Sequence, residues 1–252
     1  MQIQTEGIVI KETGCGENDK YITILTAEHG TIEAYVKGAR RKGSRLAAST
    51  ALFCYSTFEL FKSNTRFYVD QADINHLFYD LRLDLQRLSI ASYFCQILYE
   101  IKPDTSTCKP LLRLMLNSIH LLANTKKDSR IIKAVFELRT MSISGMCPDL
   151  VACRSCSQHD KKMRFYILEG TLLCDECANS EGMQHENSGF AVLTPSVLSA
   201  MRHIVFSSDE KVFSFTLDQA NLKLLTEVCE SFLLCQTERS YKSLDFLKTM
   251  LN

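Results

Sequence analysis

The rhythm of apolar and polar positions changes near residue 80. Before it, the two classes alternate in short runs; after it, apolar residues recur every three or four positions. Ile3–Lys11 is rich in β-branched residues (Ile3, Thr5, Ile8, Val9, Ile10) and predicts a strand. Gly14-Cys15-Gly16-Glu17-Asn18-Asp19 follows as a turn. Tyr21–Thr26 and Thr31–Val36 alternate on either side of Glu28-His29-Gly30, and Phe53–Phe61 and Arg66–Ile74 flank Ser63-Asn64. Five short strands with polar turns predict a small antiparallel barrel or sandwich. The longer excursion after the third strand is the arrangement of an OB-fold barrel.

From Asp80 the pattern is helical. Leu81, Leu85, Leu88, Ala91, Ser92, Cys95, Leu98 and Tyr99 form one amphipathic stripe, which Pro103 ends. Leu111–Leu122 is a second helix. Asp128 caps a third, carrying Ile131, Ile132, Val135, Phe136 and Leu138 and closed by Gly145 and Pro148. Thr194-Pro195 opens another, an N-cap with proline at the first helical position. Asp218–Cys235 and Tyr241–Leu251 complete the set. Residues 150–180 are a Cys-rich insert, and Ser180–Gly189 is the only linker-like stretch. The expected class is α+β and multidomain. An N-terminal OB-fold barrel spans 1–79, and an α-helical domain with an inserted zinc ribbon at 150–180 spans 80–252.

Cys153-x2-Cys156 and Cys174-x2-Cys177 stand 17 residues apart. Each two-residue gap lets both thiolates reach one ion, and two such knuckles supply the corners of a tetrahedron, which suits zinc. Between them Phe165–Leu168, Glu169-Gly170 and Thr171–Leu173 read as a hairpin, the layout of a zinc ribbon. Four thiolates close the shell, so one structural Zn2+ per chain is expected. Binding worth about 10–16 kcal/mol would hold together an insert too small to fold alone. Unmetallated thiols or a redox pair are the alternative, and Cys147 and His159 lie near enough to substitute as ligands. Cys15, Cys54, Cys95, Cys108, Cys229 and Cys235 read as plain buried thiols.

The 252 residues contain eleven Cys and are 46% hydrophobic, ordinary for a globular chain. Met1–Ile10 carries Glu6 and lacks a basic start followed by an apolar core, so no secretory leader is expected. Free or metal-bound thiols in a reducing compartment then fit better than disulfides. No run of about 18 apolar residues occurs, so no membrane span is expected. Charge balances at 29 basic and 29 acidic residues. Residues 81–150 carry an excess of four positive charges and 181–252 an excess of three negative ones. Attraction to nucleic acid would have to come from a local patch.

One segment supplies such a patch. Lys37-Gly38-Ala39-Arg40-Arg41-Lys42-Gly43-Ser44-Arg45 packs five cations into nine residues, and no acidic residue occurs from Ala34 to Phe58. It leaves the third strand and would sit at a barrel rim, where guanidinium forks suit phosphate oxygens. The alternative is a solvated charge run. Tyr35, Phe53, Tyr55, Phe58, Phe61, Phe67 and Tyr68 on neighbouring strands could stack bases, although a barrel strand places most aromatics in the core. Gly38-x4-Gly43 begins like a phosphate loop, but Ser44-Arg45 stands where Lys-Ser/Thr is required. No His is followed two residues later by Glu, which removes the zinc deaminases. No catalytic chemistry is expected.

The motifs resemble those of the RecO family of bacterial recombination mediators. The resemblance starts with Gly7-Ile8-Val9-Ile10, Gly16-Glu17-x-Asp19-Lys20, Leu25-Thr26-x-x-x-Gly30 and Lys37-Gly38-Ala39-Arg40-Arg41-x-x-Ser44-Arg45. Phe136-Glu137-Leu138-Arg139, Gly145-x-x-Pro148-Asp149-Leu150-x-x-Cys153-x-x-Cys156 and Lys242-Ser243-Leu244-x-Phe246-Leu247 continue it in order. One departure is Ser157, where the family usually has glycine after the first knuckle. The resemblance implies a cytoplasmic, nucleoid-associated DNA-repair protein without covalent chemistry. It would bind single- and double-stranded DNA and anneal complementary strands. With RecR it would help load RecA onto DNA coated by single-strand-binding protein (SSB), whose acidic C-terminal tail would dock on the helical domain. DNA binding is carried to Lys37, Arg40, Arg41, Lys42, Arg45 and Lys20. Partner binding is carried to Arg139, near Lys126, Lys127 and Lys133. A zinc-ribbon adaptor without DNA contact and a metal-dependent nuclease or deaminase are the competing readings; the latter finds no open metal site.

Overall fold

The computed structural model describes residues 2–180 and 189–251, so all but the ends of the linker-like stretch Ser180–Gly189 lie outside the described residues. The N-terminal part is strand-rich and the remainder mainly helical. Strands β1 (Gln2–Cys15), β2 (Asp19–Thr26), β3 (Thr31–Val36), β4 (Cys54–Ser63) and β5 (Arg66–Leu77) close a barrel in the order β1-β2-β3-β5-β4. Neighbours are antiparallel except β3 and β5, which run parallel.

Strand β1 runs past Lys11 to Cys15 and leaves only Gly16–Asn18 as a turn. It is long because it serves two partners: Gln2–Ile8 lies opposite β4 and Gly7–Cys15 opposite β2. Hairpin pairing, not β-branched content, carries its second half. Inward positions Val9, Ile22, Ile24, Ile32, Ala34, Val36, Phe58, Leu60 and Val69 fill the barrel. Phe53, expected to open the fourth strand, instead sits before it at φ +67, buried, donating its N–H to the Val9 carbonyl (3.0 Å).

The chain divides into two compact units, residues 1–126 with 241–252, and residues 127–240. Secondary structure switches near residue 79, yet packing divides at Lys127. Helices α2 (Leu85–Ile101) and α3 (Cys108–Asn124) pack with the barrel strands, and α8 (Lys242–Leu251) returns to α2. Tyr241 meets Tyr93 edge-on at 5.7 Å, and Gln96 Oε1 accepts the Ser243 N–H (3.1 Å). A short α1 (Leu46–Ser49) lies in the excursion after β3, and a 3-10 turn at Tyr79–Leu83 takes Leu81 out of the predicted helix. Asp84 caps α2 by accepting the Arg87 N–H (3.1 Å).

The second unit holds α4 (Ser129–Ile143), β6 (Asp149–Cys153), β7 (Met163–Tyr166), β8 (Thr171–Cys174), α5 (Asp175–Ser180), β9 (Phe190–Leu193), α6 (Pro195–Phe206) and α7 (Gln219–Thr237). The predicted hairpin is β7–β8. It is joined by β6 and β9 into a four-stranded sheet, β6-β8-β7-β9. The predicted caps form: Asp128 accepts from Arg130 N and Thr194 from Val197 N; Asp218 also caps α7, accepting from Asn221 N. Between α4 and α7 Lys133 is buried against Glu137 (2.7 Å) and Glu230 (2.8 Å). Burial works against its charge, but the two carboxylates outweigh burial and hold its pKa above that of a free lysine. Among the described residues no helix is long and apolar enough to cross a membrane.

Candidate nucleic-acid interface and metal centre

The basic loop begins where β3 ends. Gly38 turns the chain at φ +66, a conformation that costs a side chain about 1–2 kcal/mol. Asp19, the first residue of β2, holds this turn. Its Oδ1 accepts the Gly38 N–H (2.6 Å) and its Oδ2 accepts the Tyr35 hydroxyl. The Tyr35 hydroxyl and then the Gly38 N–H lower the Asp19 pKa, while Asp19 pushes Tyr35 up to about 12. The Arg40 N–H bonds the Asn18 carbonyl (2.9 Å), and its Nη1 reaches the Gly16 carbonyl (3.3 Å). The loop is thus strapped to the β1–β2 turn, while Ala39 is buried in the barrel core.

Lys37, Arg40, Arg41, Lys42 and Arg45 are all exposed. Among the described residues none forms an ion pair with a carboxylate. Asp19 attracts Arg41 and Lys37 electrostatically, but its oxygens already accept two hydrogen bonds. Lys20 departs from the expectation. It is 5% exposed, and its Nζ is held by Glu12 (2.8 Å) and the Thr50 carbonyl (2.7 Å). A phosphate could reach it only by displacing both, so Lys20 is a tie between β2 and the excursion.

The aromatics separate by side of the sheet. Phe53 and Phe58 are buried, Phe67 packs against the barrel core, and the Tyr55 hydroxyl is bound to Glu6 (2.5 Å). Tyr35, Tyr68 and Phe61 face outward. Tyr21, absent from the sequence-based set, lies opposite Tyr35 with ring centroids 5.2 Å apart. Counting register outward from the Glu28–Gly30 turn pairs these two and was the available signal.

Arg139 also has other work. Its Nη1 donates to the Ile204 (3.2 Å) and Val205 carbonyls at the C-terminal end of α6, and its Nη2 pairs with Asp209 (3.1 Å). A cation there complements the helix dipole and the terminal carbonyls. Arg139 and the buried Lys133 are therefore not an open rim for an acidic partner. Lys126 is exposed.

Cys153 ends β6, Cys156 lies in the following turn, Cys174 ends β8 and Cys177 sits in α5. Their four sulfurs all lie within 4.8 Å of one another. Cys156 Sγ and Cys174 Sγ are 3.7 Å apart, against about 3.8 Å for the edge of a tetrahedron with zinc–sulfur bonds of about 2.3 Å. A disulfide would need about 2.0 Å. Burial opposes ionisation of Cys153, but N–H groups of Cys156, Cys174 and Ser155 outweigh it and lower its pKa to about 6. Hydrogen bonds with the Cys174 and Cys156 thiols push Cys177 up to about 12. Four crowded thiols cannot all ionise without a central cation, and a soft dication satisfies all four. The His159 ring bonds the Val151 carbonyl (3.0 Å) and Cys147 is exposed; neither joins the group.

Residues 1–78 match the family model for the Recombination protein O N terminal, and residues 82–245 that for the Recombination protein O C terminal. The chain belongs to the RecO family. It is 35% identical over 249 residues to the DNA repair protein RecO of Acetivibrio thermocellus, covering 98% of this chain and 97% of that protein. It is 30% identical over 251 residues to the DNA repair protein RecO of Alkaliphilus metalliredigens (98% and 99%) and 30% identical over 249 to that of Symbiobacterium thermophilum (97% and 96%). Several RecO-like motifs acquire structural reasons here. In Asp19-Lys20 one residue anchors the loop and the other ties down the excursion. In Phe136-Glu137-Leu138-Arg139, Glu137 neutralises Lys133 and Arg139 closes α6. After the first knuckle, Ser157 adopts φ +58 and donates its N–H to the Cys153 carbonyl (2.9 Å).

Proposed function

We propose that this RecO-family chain is a non-catalytic mediator of DNA repair and recombination. In this reading residues 1–79 are an OB-fold that binds single- and double-stranded DNA through Lys37, Arg40, Arg41, Lys42 and Arg45. Residues 80–252 are the partner-binding helical domain, with a zinc ribbon at 150–180 that holds one structural Zn2+. The mediator anneals complementary strands in the cytoplasm, at the nucleoid. With RecR it helps RecA replace SSB, whose acidic tail contacts the helical domain; Arg139 is left out of that contact.

The observation that carries the reading is the loop, with five exposed cations on one turn and no carboxylate partner among the described residues. Cations placed there release counterions when phosphates arrive, which favours binding without reading sequence. Zero net charge keeps the remainder of the molecule from adding to the grip. A mediator must let DNA go, so a local, salt-sensitive hold suits the task. The cysteine group has no open coordination position and supplies folding energy, not chemistry.

The test replaces all five loop cations with glutamine and measures binding of labelled single-stranded and duplex DNA by fluorescence anisotropy. None of the five buttresses the barrel core, so the far-ultraviolet spectrum should be retained while both affinities collapse. Wild-type affinity in a folded variant would overturn the assignment and favour the adaptor. Annealing of strands coated with SSB, with and without its tail, then separates DNA contact from partner contact.

A further inference from the structure

The β4–β5 hairpin runs on past the closure of the barrel. Strand β3 lies beside β5 only at Phe67 and Tyr68, while β4 follows β5 as far as Leu77. From Asp70 to Leu77, β5 has a strand neighbour on one side only. Among the described residues, its backbone there makes no hydrogen bond outside the sheet. The short α1 packs on β5, yet Asp73–Leu77 are exposed without a break. A strand open in this way is a template for another strand, and proteins blunt such edges where they are not used. Here the blunting is partial. Register shifts leave Asp70 and Asn75 as extra residues, and Gln71–Ile74 between them is regular. Ala72, Ile74 and Leu77 stand opposite Phe58, Ser56 and Cys54 on the core side of the sheet. Gln71 and Asp73 stand opposite Glu59 and Thr57 on the outer side. Ile74 and Leu77 are 45% and 44% exposed, although Ser56 and Cys54 opposite them are fully buried. Five of the eleven large apolar side chains exposed among the described residues fall between Ile74 and Leu85, so exposed apolar surface concentrates at this edge and the turn after it.

We propose that the open edge of β5, Asp70–Leu77, takes an extended segment of a partner protein as an added strand, a segment in which basic and apolar residues alternate. Backbone hydrogen bonds to the edge supply affinity, and alternate side chains supply the choice of partner. On one face the apolar residues of the added strand meet Ala72, Ile74 and Leu77. On the other its lysines or arginines meet Asp73, with Asp70 exposed in the bulge beside it. Nucleic acid does not fit this edge, which offers carboxylates where phosphates need cations. A second copy of the chain fits poorly. The register that sets Ala72 beside Ile74 across a two-fold axis puts two Asp73 side chains opposite each other, and like charges so placed are destabilising. The edge shares no residue with the basic loop, so it stands whether or not the loop holds DNA.

The probe is a short fluorescein-labelled peptide of alternating lysine and valine, titrated against the full chain by anisotropy, with a glutamate–valine peptide as its opposite. The lysine peptide should bind and the glutamate peptide should not. Asp70→Lys/Asp73→Lys should weaken the first about tenfold and strengthen the second by a similar factor, because opposite-charge pairs become like-charge ones and the reverse. Both positions are exposed, and the gain for the glutamate peptide shows that the variant is folded. N-methylation of the lysine peptide removes its backbone donors and keeps its charge, so it should abolish binding. Amide hydrogen exchange between Asp70 and Leu77 should slow when the unmethylated peptide is added, and exchange in β2 should not change. Binding that ignores the charge reversal, or that survives N-methylation, would overturn the proposal. So would a dimer of the chain alone that Ile74→Lys dissociates, since the edge would then belong to a second copy.

Discussion

Ser157 shows how one residue can be wrong for its backbone and still be kept. Its φ of +58 is left-handed, and the turn it makes lets Cys153 and Cys156 converge. Ser157→Gly should relieve that strain and stabilise the metal-loaded protein by about 1 kcal/mol, read as a higher urea midpoint; an unchanged or lower midpoint contradicts it. The knuckles were legible in the sequence because ligand spacing is a local property. Lys20 and Arg139 were not. Both are cations in family-like motifs, but Thr50 and the last turn of α6 lie far from them in sequence. Nothing local distinguishes a cation held by a remote carbonyl from one waiting for a phosphate.

At the scale of elements, α4 depends on a buried charge cluster for its packing against α7. Glu137 is fully buried and Lys133 nearly so. Lys133→Met should cost about 3–5 kcal/mol in chemical denaturation, because the carboxylates lose their cation in a dry interface. Lys133→Met/Glu137→Leu should recover much of that loss. A single-variant cost below about 1 kcal/mol would refute the cluster's role. The N-caps Asp128 and Thr194 were readable from sequence because a cap reports its own helix start. The reach of β1 and the recruitment of β9 into the ribbon sheet were not, since both depend on a partner strand brought in by folding.

For the whole molecule, the order of strands and helices was legible, while the division at Lys127 and the return of α8 to α2 were not. Periodicity tells which face of a helix is buried but not which neighbour buries it. All four cysteines lie in the second unit, and the barrel contributes none of them. Chelation should therefore raise amide hydrogen exchange in β6–β9 and leave β1–β5 protected; uniform loss of protection, or none, would contradict a structural ion confined to the ribbon.

The proposed hold of exposed cations in the β3–β4 excursion on DNA phosphates is tested by the salt dependence of single-stranded DNA binding. Removing two phosphate contacts by Arg40→Ala/Arg41→Ala should make the slope of log affinity against log salt shallower by roughly 1–2. A slope and affinity equal to wild type would place the DNA elsewhere.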